Sequence, residues 1–148
     1  VGLVQCMPNS RNTIPGKVFF TIDLRHNEDE ILSKMAKEAK EAAEVAAKEN
    51  GLQLDYKEIW YLPPVHFSKD CVKAVEKAAT ELGFSSMPII SGAGHDSFYI
   101  NRVAPAAMVF VPCDGGISHN EIENAKQSDI AAGCSVLMRA MVERANTL

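Results

Sequence analysis

The loop at residues 114–121 contains residue types that can bind a metal or transfer a proton. Its sequence, DGGISHNE, follows the apolar run 106–111, which is typical of a strand buried on both faces. In open α/β sheets, sites form beyond the carboxyl ends of strands, so His119 is placed where a metal ligand or acid–base group would lie. The alternative is a loop histidine without a role. Glu121 is near enough to orient His119, although an exposed glutamate at a helix start is the plainer interpretation.

A glycine-rich turn, SGAGHD at residues 91–96, is a second candidate. Its two glycines let backbone N–H groups approach a ligand, and such a run can form an anion-binding nest. The Gly-Lys-Ser/Thr ending of a nucleotide-binding P-loop is absent. His95 and Asp96 either hydrogen-bond into a site or hold the turn together. The turn taken alone favours the second interpretation.

The segment at residues 8–16, together with the strand that follows it and ends at Arg25, is the third candidate. Asn12 offers both a donor and an acceptor, and Arg25 offers a planar fork that suits carboxylates bidentately. The competing interpretation of Arg25 is a salt bridge to Asp23 on the same strand face.

The sequence does not contain a complete zinc motif. Its four histidines are His26, His66, His95 and His119, and we interpret the first two as surface residues. There is no HExxH, no His-x-Asp pair and no Glu-Glu pair. A full set of histidine and carboxylate ligands therefore cannot be assembled from this chain.

The first part of the chain has the pattern of a β-α-β unit. Residues 17–25 alternate apolar and polar, as in a strand with one buried face. Asn27 and Glu30 form a capping-box pattern at the start of a helix that ends at Gly51. Residues 52–62 predict a second strand, which could lie parallel to the first. Pro63-Pro64 then marks a domain boundary.

The second part has the pattern α-β-α-β-α, which is typical of a layered α/β domain. Turn and capping residues separate its segments. The predicted elements are a helix at 68–82 capped by Ser68 and stopped by Gly83, a strand at 87–90, a short helix after the glycine turn, a strand at 106–111, and a helix from the cap Ser128 to about Arg144.

Composition restricts the classes of function. Of the 148 residues, 47% are hydrophobic and 23% are charged, which indicates a globular chain. A net charge of −4 argues against a nucleic-acid surface, and no apolar run or leader pattern predicts a membrane span or signal peptide. The four cysteines are scattered, which favours reduced thiols in a cytoplasmic protein.

The three candidate segments together resemble one family of metal-dependent amidohydrolases. The matching residues are PNSRNTIPGKVFFTIDLR (8–25), SGAGHD (91–96) and FVPCDGGISHNE (110–121). The family includes N-carbamoyl-L-amino-acid hydrolase, allantoate amidohydrolase and β-ureidopropionase, within the aminoacylase/carboxypeptidase superfamily. The likeness covers essentially the whole chain, and three separated motifs are more specific than any one of them.

The resemblance implies a two-domain subunit. Residues 1–62 would be the second half of a ferredoxin-like lid, a β-α-β unit that mediates homodimerisation. Residues 63–148 would be the C-terminal segment of a layered α/β catalytic domain that holds two divalent metal ions, zinc or manganese. The other ligands, the bridging Asp and the general-base Glu of the family have no counterpart here.

The resemblance also implies roles for particular residues. His119 matches the last metal ligand of the family, and His95 and Asp96 belong to its catalytic motif. The substrate-binding residues would be Asn12 and Arg25, for the substrate carboxylate and amide, and the turn residues Gly92, Ala93 and Gly94.

The function implied is hydrolysis of the carbamoyl or ureido C–N bond of small molecules that carry a carboxylate, such as N-carbamoyl amino acids or allantoate. The 148-residue chain alone is expected to be inactive. One alternative is a non-catalytic module for dimerisation or carboxylate binding on the same fold. A further alternative is an aminoacylase or peptidase of the wider superfamily.

Overall fold

The structure is a computed structural model that describes residues 1–147. It forms two compact units, Val1–Pro64 and Val65–Leu148, which divide at the Pro63-Pro64 pair. Within the described residues the α/β fold comprises one two-stranded sheet and four α-helices. None of these helices combines the length and apolar character that a bilayer crossing requires.

An antiparallel hairpin opens the first unit. β1 (Leu3–Met7) pairs with β2 (Lys17–Thr21), with Leu3 opposite Thr21 and Met7 opposite Lys17. The Gly16 N–H donates to the Met7 carbonyl at 2.9 Å and closes the loop. The predicted strand at 17–25 starts where expected but ends at Thr21, because the ladder ends with β1. The partner strand β1 itself was not predicted.

The helix predicted after β2 is confirmed as α1 (Asp29–Glu49). Its capping differs from the prediction, since the N-cap is Glu28 and makes no side-chain cap bond. The His26 imidazole Nδ1 instead accepts the Glu28 N–H at 3.0 Å, which displaces the expected Asn27 capping box. At the other end Gly51 has a φ of 64°, and the Leu52 N–H donates to Ala47 at 2.8 Å. This left-handed C′ residue is the predicted helix stop.

The predicted strand at residues 52–62 is wrong as a regular element. These residues join no ladder, so the described chain contains no parallel β-α-β pairing. A strand is held by a hydrogen-bonded neighbour, and this segment has none among the described residues. The Tyr61 hydroxyl donates to the Asp29 carboxylate instead and so ties the segment to the start of α1.

Two helices form the core of the second unit. The predicted helices are confirmed as α2 (Lys69–Glu81) and α4 (Gln127–Ala145), with a short α3 (Asp96–Ile100) between them. The Ser68 hydroxyl caps α2 as predicted by accepting the Cys71 N–H at 3.4 Å, whereas the cap of α4 is Lys126 and not Ser128. Small side chains from α2 and α4 make the buried cluster: Ala74, Ala78, Ala79, Val136 and Ala140.

The end of this helix pair is fixed by a salt bridge. The Arg139 guanidinium donates from Nε to Glu81 Oε2 at 2.9 Å, and its Nη2 lies 2.8 Å from the same oxygen. The hydrogen bond from Arg139 lowers the pKa of Glu81. The pair is partly exposed, so the alanine contacts contribute more to holding the helices together than this charge pair does.

Residues 106–111 contact structure on two sides although they join no ladder, as is also true of the predicted strand at 87–90. Val109 and Val111 lie against Gly133 of α4. Met108 accepts a hydrogen bond from Ser97 of α3, and Phe110 contacts the His95 ring. Successive side chains therefore point to opposite sides, as in a strand. The predicted regular strands are wrong because neither segment has a paired neighbour in the described chain.

Gly133 provides the first test of this packing. A Cβ added there would lie 2.5 Å from Val111 Cγ1, a separation that requires one of the two to move. We expect Gly133→Ala to destabilise the protein by about 1–3 kcal/mol, more than the ~1 kcal/mol of helix propensity that alanine adds. Urea denaturation of the full-length protein measures this difference.

The matched control for Gly133→Ala is the same change in a Val111→Ala background. Removing the Val111 methyl groups makes room for the new Cβ, so the alanine should then cost much less or stabilise the helix. An equal loss of stability in both backgrounds would show that the close approach is not the cause.

Candidate functional site

The β1–β2 hairpin presents Asn12 on its connecting loop. Its side-chain Oδ1 accepts a hydrogen bond from the Ser10 hydroxyl at 2.9 Å, and both residues are exposed. This bond uses one acceptor position, and the Asn12 amide N–H groups make no hydrogen bond within the described residues. Asn12 is therefore oriented by its own loop and can still donate to a ligand.

Arg25 lies four residues beyond the end of β2 and already holds a carboxylate. Its Nε donates to Asp23 Oδ1 at 2.9 Å and its Nη2 to Asp23 Oδ2 at 2.7 Å. This fork-to-fork pair lowers the pKa of Asp23 and raises that of Arg25, in both cases mainly through the hydrogen bond. The salt bridge that the sequence left as an alternative is thus present. It is largely exposed, so another carboxylate can compete for the same fork at little cost.

The glycine turn in the second unit is held by Ser91 and is not a nest of the expected kind. Gly92 and Gly94 both lack a left-handed φ, so the alternating conformation that aims successive N–H groups at an anion is not formed there. The Ala93 N–H donates to the Ser91 hydroxyl at 3.2 Å. A Cβ added at Gly92 or Gly94 would meet nothing within 4 Å, so there is open space on the side of each glycine where a side chain would project.

His95 joins this turn to α3. Its Nε2 lies 2.9 Å from the Ser91 hydroxyl, and its ring meets Phe110 edge-on at 5.5 Å between centroids. Its carbonyl accepts the Phe98 N–H at 3.0 Å, which starts the helix. Asp96 follows in the first helical turn and is exposed. The imidazole of His95 is thus engaged on two sides and holds the turn in place.

His119 is arranged in the opposite way, with a fixed backbone and a free ring. Its φ is 56°, a left-handed value that is uncommon outside glycine. Its N–H donates to Glu123 Oε2 at 2.7 Å. Its exposed imidazole makes no hydrogen bond within residues 1–147. A side chain presented in this way is available to bind a ligand or a metal ion.

Residues 113–124, which we call the His119 loop, are closed at their base by Asp114 and Asn124. The Asp114 N–H donates to the Asn124 carbonyl at 2.7 Å, and the Asn124 side chain donates to the Asp114 carboxylate at 2.9 Å. Glu121, which the sequence placed near enough to orient His119, is exposed and makes no hydrogen bond in the described chain, in keeping with the plainer interpretation. Glu123 takes that place, but it contacts the backbone of His119 and not its ring.

The described residues do not make a complete metal site. No group of three or more histidine, cysteine, aspartate or glutamate side chains within residues 1–147 is placed to hold an ion. His119 fits as a single ligand because its ring is free and its backbone is fixed. That His119 is one ligand of a larger metal site stays a prediction.

Within the second unit, the segment 106–111 connects the two candidate loops. Phe110 contacts His95 of the glycine turn, and the His119 loop begins at Cys113, three residues later. Sequence reasoning missed Ser91 and Glu123. A serine that accepts the N–H two residues on is a recognised local motif and could have been found. No sequence pattern indicates that Glu123 contacts the backbone of His119.

Comparison with known proteins agrees with the resemblance. Residues 3–143 match the model of peptidase family M20/M25/M40. An N-carbamoyl-L-amino-acid amidohydrolase of Rhizobium meliloti is 39% identical over 98% of this chain and 35% of its own length. An allantoate amidohydrolase of Bacillus subtilis is 35% identical over 87% of this chain and 32% of its own length.

A solved structure gives the same result for the fold. A hydantoinase/carbamoylase family amidase from Burkholderia multivorans superposes with a TM-score of 0.92 and 48% sequence identity, over 97% of this chain and 35% of that one. This chain therefore spans about a third of the length of the relatives it matches. It belongs to peptidase family M20/M25/M40, whose members are generally metal-dependent hydrolases.

Proposed function

We propose that the whole protein hydrolyses the carbamoyl or ureido C–N bond of small molecules that carry a carboxylate. The observation that supports this most directly is His119, whose backbone is fixed while its ring is free. Relatives named for N-carbamoyl-L-amino acids and for allantoate point to the ureido group as the shared substrate feature. This chain would contribute a carboxylate anchor, a substrate-facing turn and one metal ligand.

The anchor is Arg25, assisted by Asn12. The guanidinium already binds the Asp23 carboxylate through two parallel hydrogen bonds, the geometry that a substrate carboxylate would use. Because that pair is exposed, a substrate can take the place of Asp23. The Asn12 amide, oriented by Ser10, would donate to the substrate amide oxygen.

The glycine turn would bind the substrate through its backbone. Gly92, Ala93 and Gly94 are exposed, and nothing fills the space where side chains at the glycines would project. His95 would act by holding this turn against Phe110, since its ring is already engaged. Asp96 remains assigned to the catalytic set, with its carboxylate exposed at the start of α3.

His119 would supply one ligand to a site with two divalent ions, zinc or manganese. The other ligands would come from the two thirds of the protein outside this chain. When bound, such ions polarise a carbonyl oxygen and make a bound water nucleophilic at neutral pH. Residues 1–62 would form the second half of a lid that mediates homodimerisation, and residues 63–148 would complete the catalytic domain.

Two general features support the domain and location parts of this proposal. Apolar side chains remain exposed in both units, among them Trp60 at 70% and Ile90 at 75%, so each unit has surface for further structure to cover. The four cysteines are free, which suits a reducing cytoplasmic compartment.

The experiment that tests the function compares the full-length protein with the 148-residue chain. We expect the full-length protein to release ammonia from N-carbamoyl amino acids or allantoate, and its activity to disappear with a chelator and return with zinc or manganese. The short chain should release none, because it supplies one ligand only. Ammonia release by the short chain, or a full-length protein that binds these ureido acids without cleaving them, would contradict the proposal and favour a binding module.

Arg25 provides a test of the carboxylate anchor. Hydrogen bonds to charged groups are worth enough that Arg25→Gln should lower kcat/KM in the full-length enzyme by about 10- to 100-fold. The loss should be much smaller for the same substrate with its carboxylate replaced by a neutral carboxamide. Steady-state kinetics on the two substrates measures the difference.

The matched control for Arg25 is Arg11→Gln, which removes an exposed arginine from the neighbouring hairpin loop. This variant should leave kcat/KM nearly unchanged for both the carboxylate and the carboxamide substrate. If Arg25→Gln reduced hydrolysis of the carboxylate and carboxamide substrates equally, Arg25 would not be the carboxylate anchor.

A further inference from the structure

The His119 loop contains one backbone conformation that its own residue type does not favour. His119 is the only non-glycine residue with positive φ among residues 1–147. The same loop has two glycines, Gly115 and Gly116, at φ of 62° and 69°, where such values carry no steric cost. Histidine is one of the non-glycine types found more often in this region, but the conformation still has an energetic cost. A contact that restrains the His119 backbone would offset this cost.

Glu123 makes such a contact. Its Oε2 accepts the His119 N–H at 2.7 Å, the short distance expected when the acceptor is charged. Its Oε1 lies 3.9 Å from the Cys113 sulfur, which donates weakly to it. The Glu123 backbone N–H donates in turn to the Asn120 carbonyl at 2.9 Å. Glu123 thus links Cys113, at the start of the loop, to His119 and Asn120 near its other end.

The neighbouring contacts make Glu123 part of a closed base. Asn124, the next residue, is bound to Asp114 through both backbone and side chain. The Glu123 side chain is exposed, as that of Glu121 is, but its backbone lies next to this closure and its carboxylate contacts the His119 N–H. Glu121, two residues earlier, is exposed and makes no hydrogen bond in the described chain. The two glutamates are thus equal in type and charge but differ in whether they touch His119.

We propose that Glu123 is a positioning residue that fixes His119 in its left-handed conformation and so directs the free imidazole toward the metal. Its proposed action is through the backbone of His119 and not through a contact with substrate or metal. This inference rests on the proposed function of His119 as a metal ligand. It adds a residue that the resemblance did not assign, and it replaces Glu121 as the partner of His119.

Three variants of the full-length protein test this role: Glu123→Ala, Glu123→Gln and Glu121→Ala. The first readout is zinc affinity, measured by competition with a chromophoric chelator. The second is the His119 amide proton shift in protein labelled with ¹⁵N-histidine, which reports the hydrogen bond without depending on activity. Glu123→Gln serves as the rescue variant, because its side-chain oxygen can still accept the His119 N–H.

We expect Glu123→Ala to lower the affinity for one of the bound zinc ions by about 10-fold or more, the usual effect of losing a residue that orients a metal ligand. It should also move the His119 amide proton upfield. Glu123→Gln should restore most of the affinity and of the shift, and Glu121→Ala should change neither. Unchanged zinc affinity in Glu123→Ala, or an equal loss in Glu121→Ala, would overturn the proposal.

The readouts also separate this inference from the function on which it rests. A wild-type protein that binds zinc, depends on Glu123 for it and cleaves no ureido acid would support the positioning role and contradict the proposed function. An active wild-type enzyme whose zinc affinity is unchanged by Glu123→Ala would support the proposed function and contradict the positioning role. A full-length protein that binds neither zinc nor manganese would contradict both, since His119 would then have no metal to bind.

Discussion

The close approach of α4 to residues 106–111 is the constraint on which the second unit depends. Gly133 has no side chain, so Val111 can lie where a Cβ would otherwise be. With that side fixed, the opposite side of the segment meets α3 and the glycine turn through Met108 and Phe110. The His119 loop then leaves from the end of the same segment. One glycine in a helix thereby helps to set both candidate loops.

The helices could be predicted from the sequence because their signals are local. Ser68 caps α2 and Gly51 ends α1, as the capping and stop patterns indicated. The extent of the strands could not be predicted in this way, because a strand requires a hydrogen-bonded partner strand. Periodicity does not reveal whether such a partner is present. Residues 52–62 and 106–111 have strand-like sequences but no paired strand in the described chain. Residues 17–21 form a strand because they pair with β1.

In the candidate site, too, some features could be predicted from the sequence and others could not. Residue type alone identified Arg25 as a fork for carboxylates, and its pair with Asp23 shows that capacity directly. The roles of His95 and His119 required tertiary contacts: one ring is engaged by Ser91 and Phe110, and the other is left free. The two histidines look alike in the sequence, so only the structure separates the one whose ring holds a turn from the one whose ring makes no hydrogen bond in the described chain.

The most direct test of the account replaces His119 itself. In the full-length protein, His119→Gln keeps a side chain of similar size but removes the imidazole. We expect this variant to lose one metal equivalent by elemental analysis and to release no ammonia from N-carbamoyl amino acids, because turnover would need both ions. A His119→Gln protein that keeps its full metal content and its turnover would contradict the claim that this chain supplies a metal ligand.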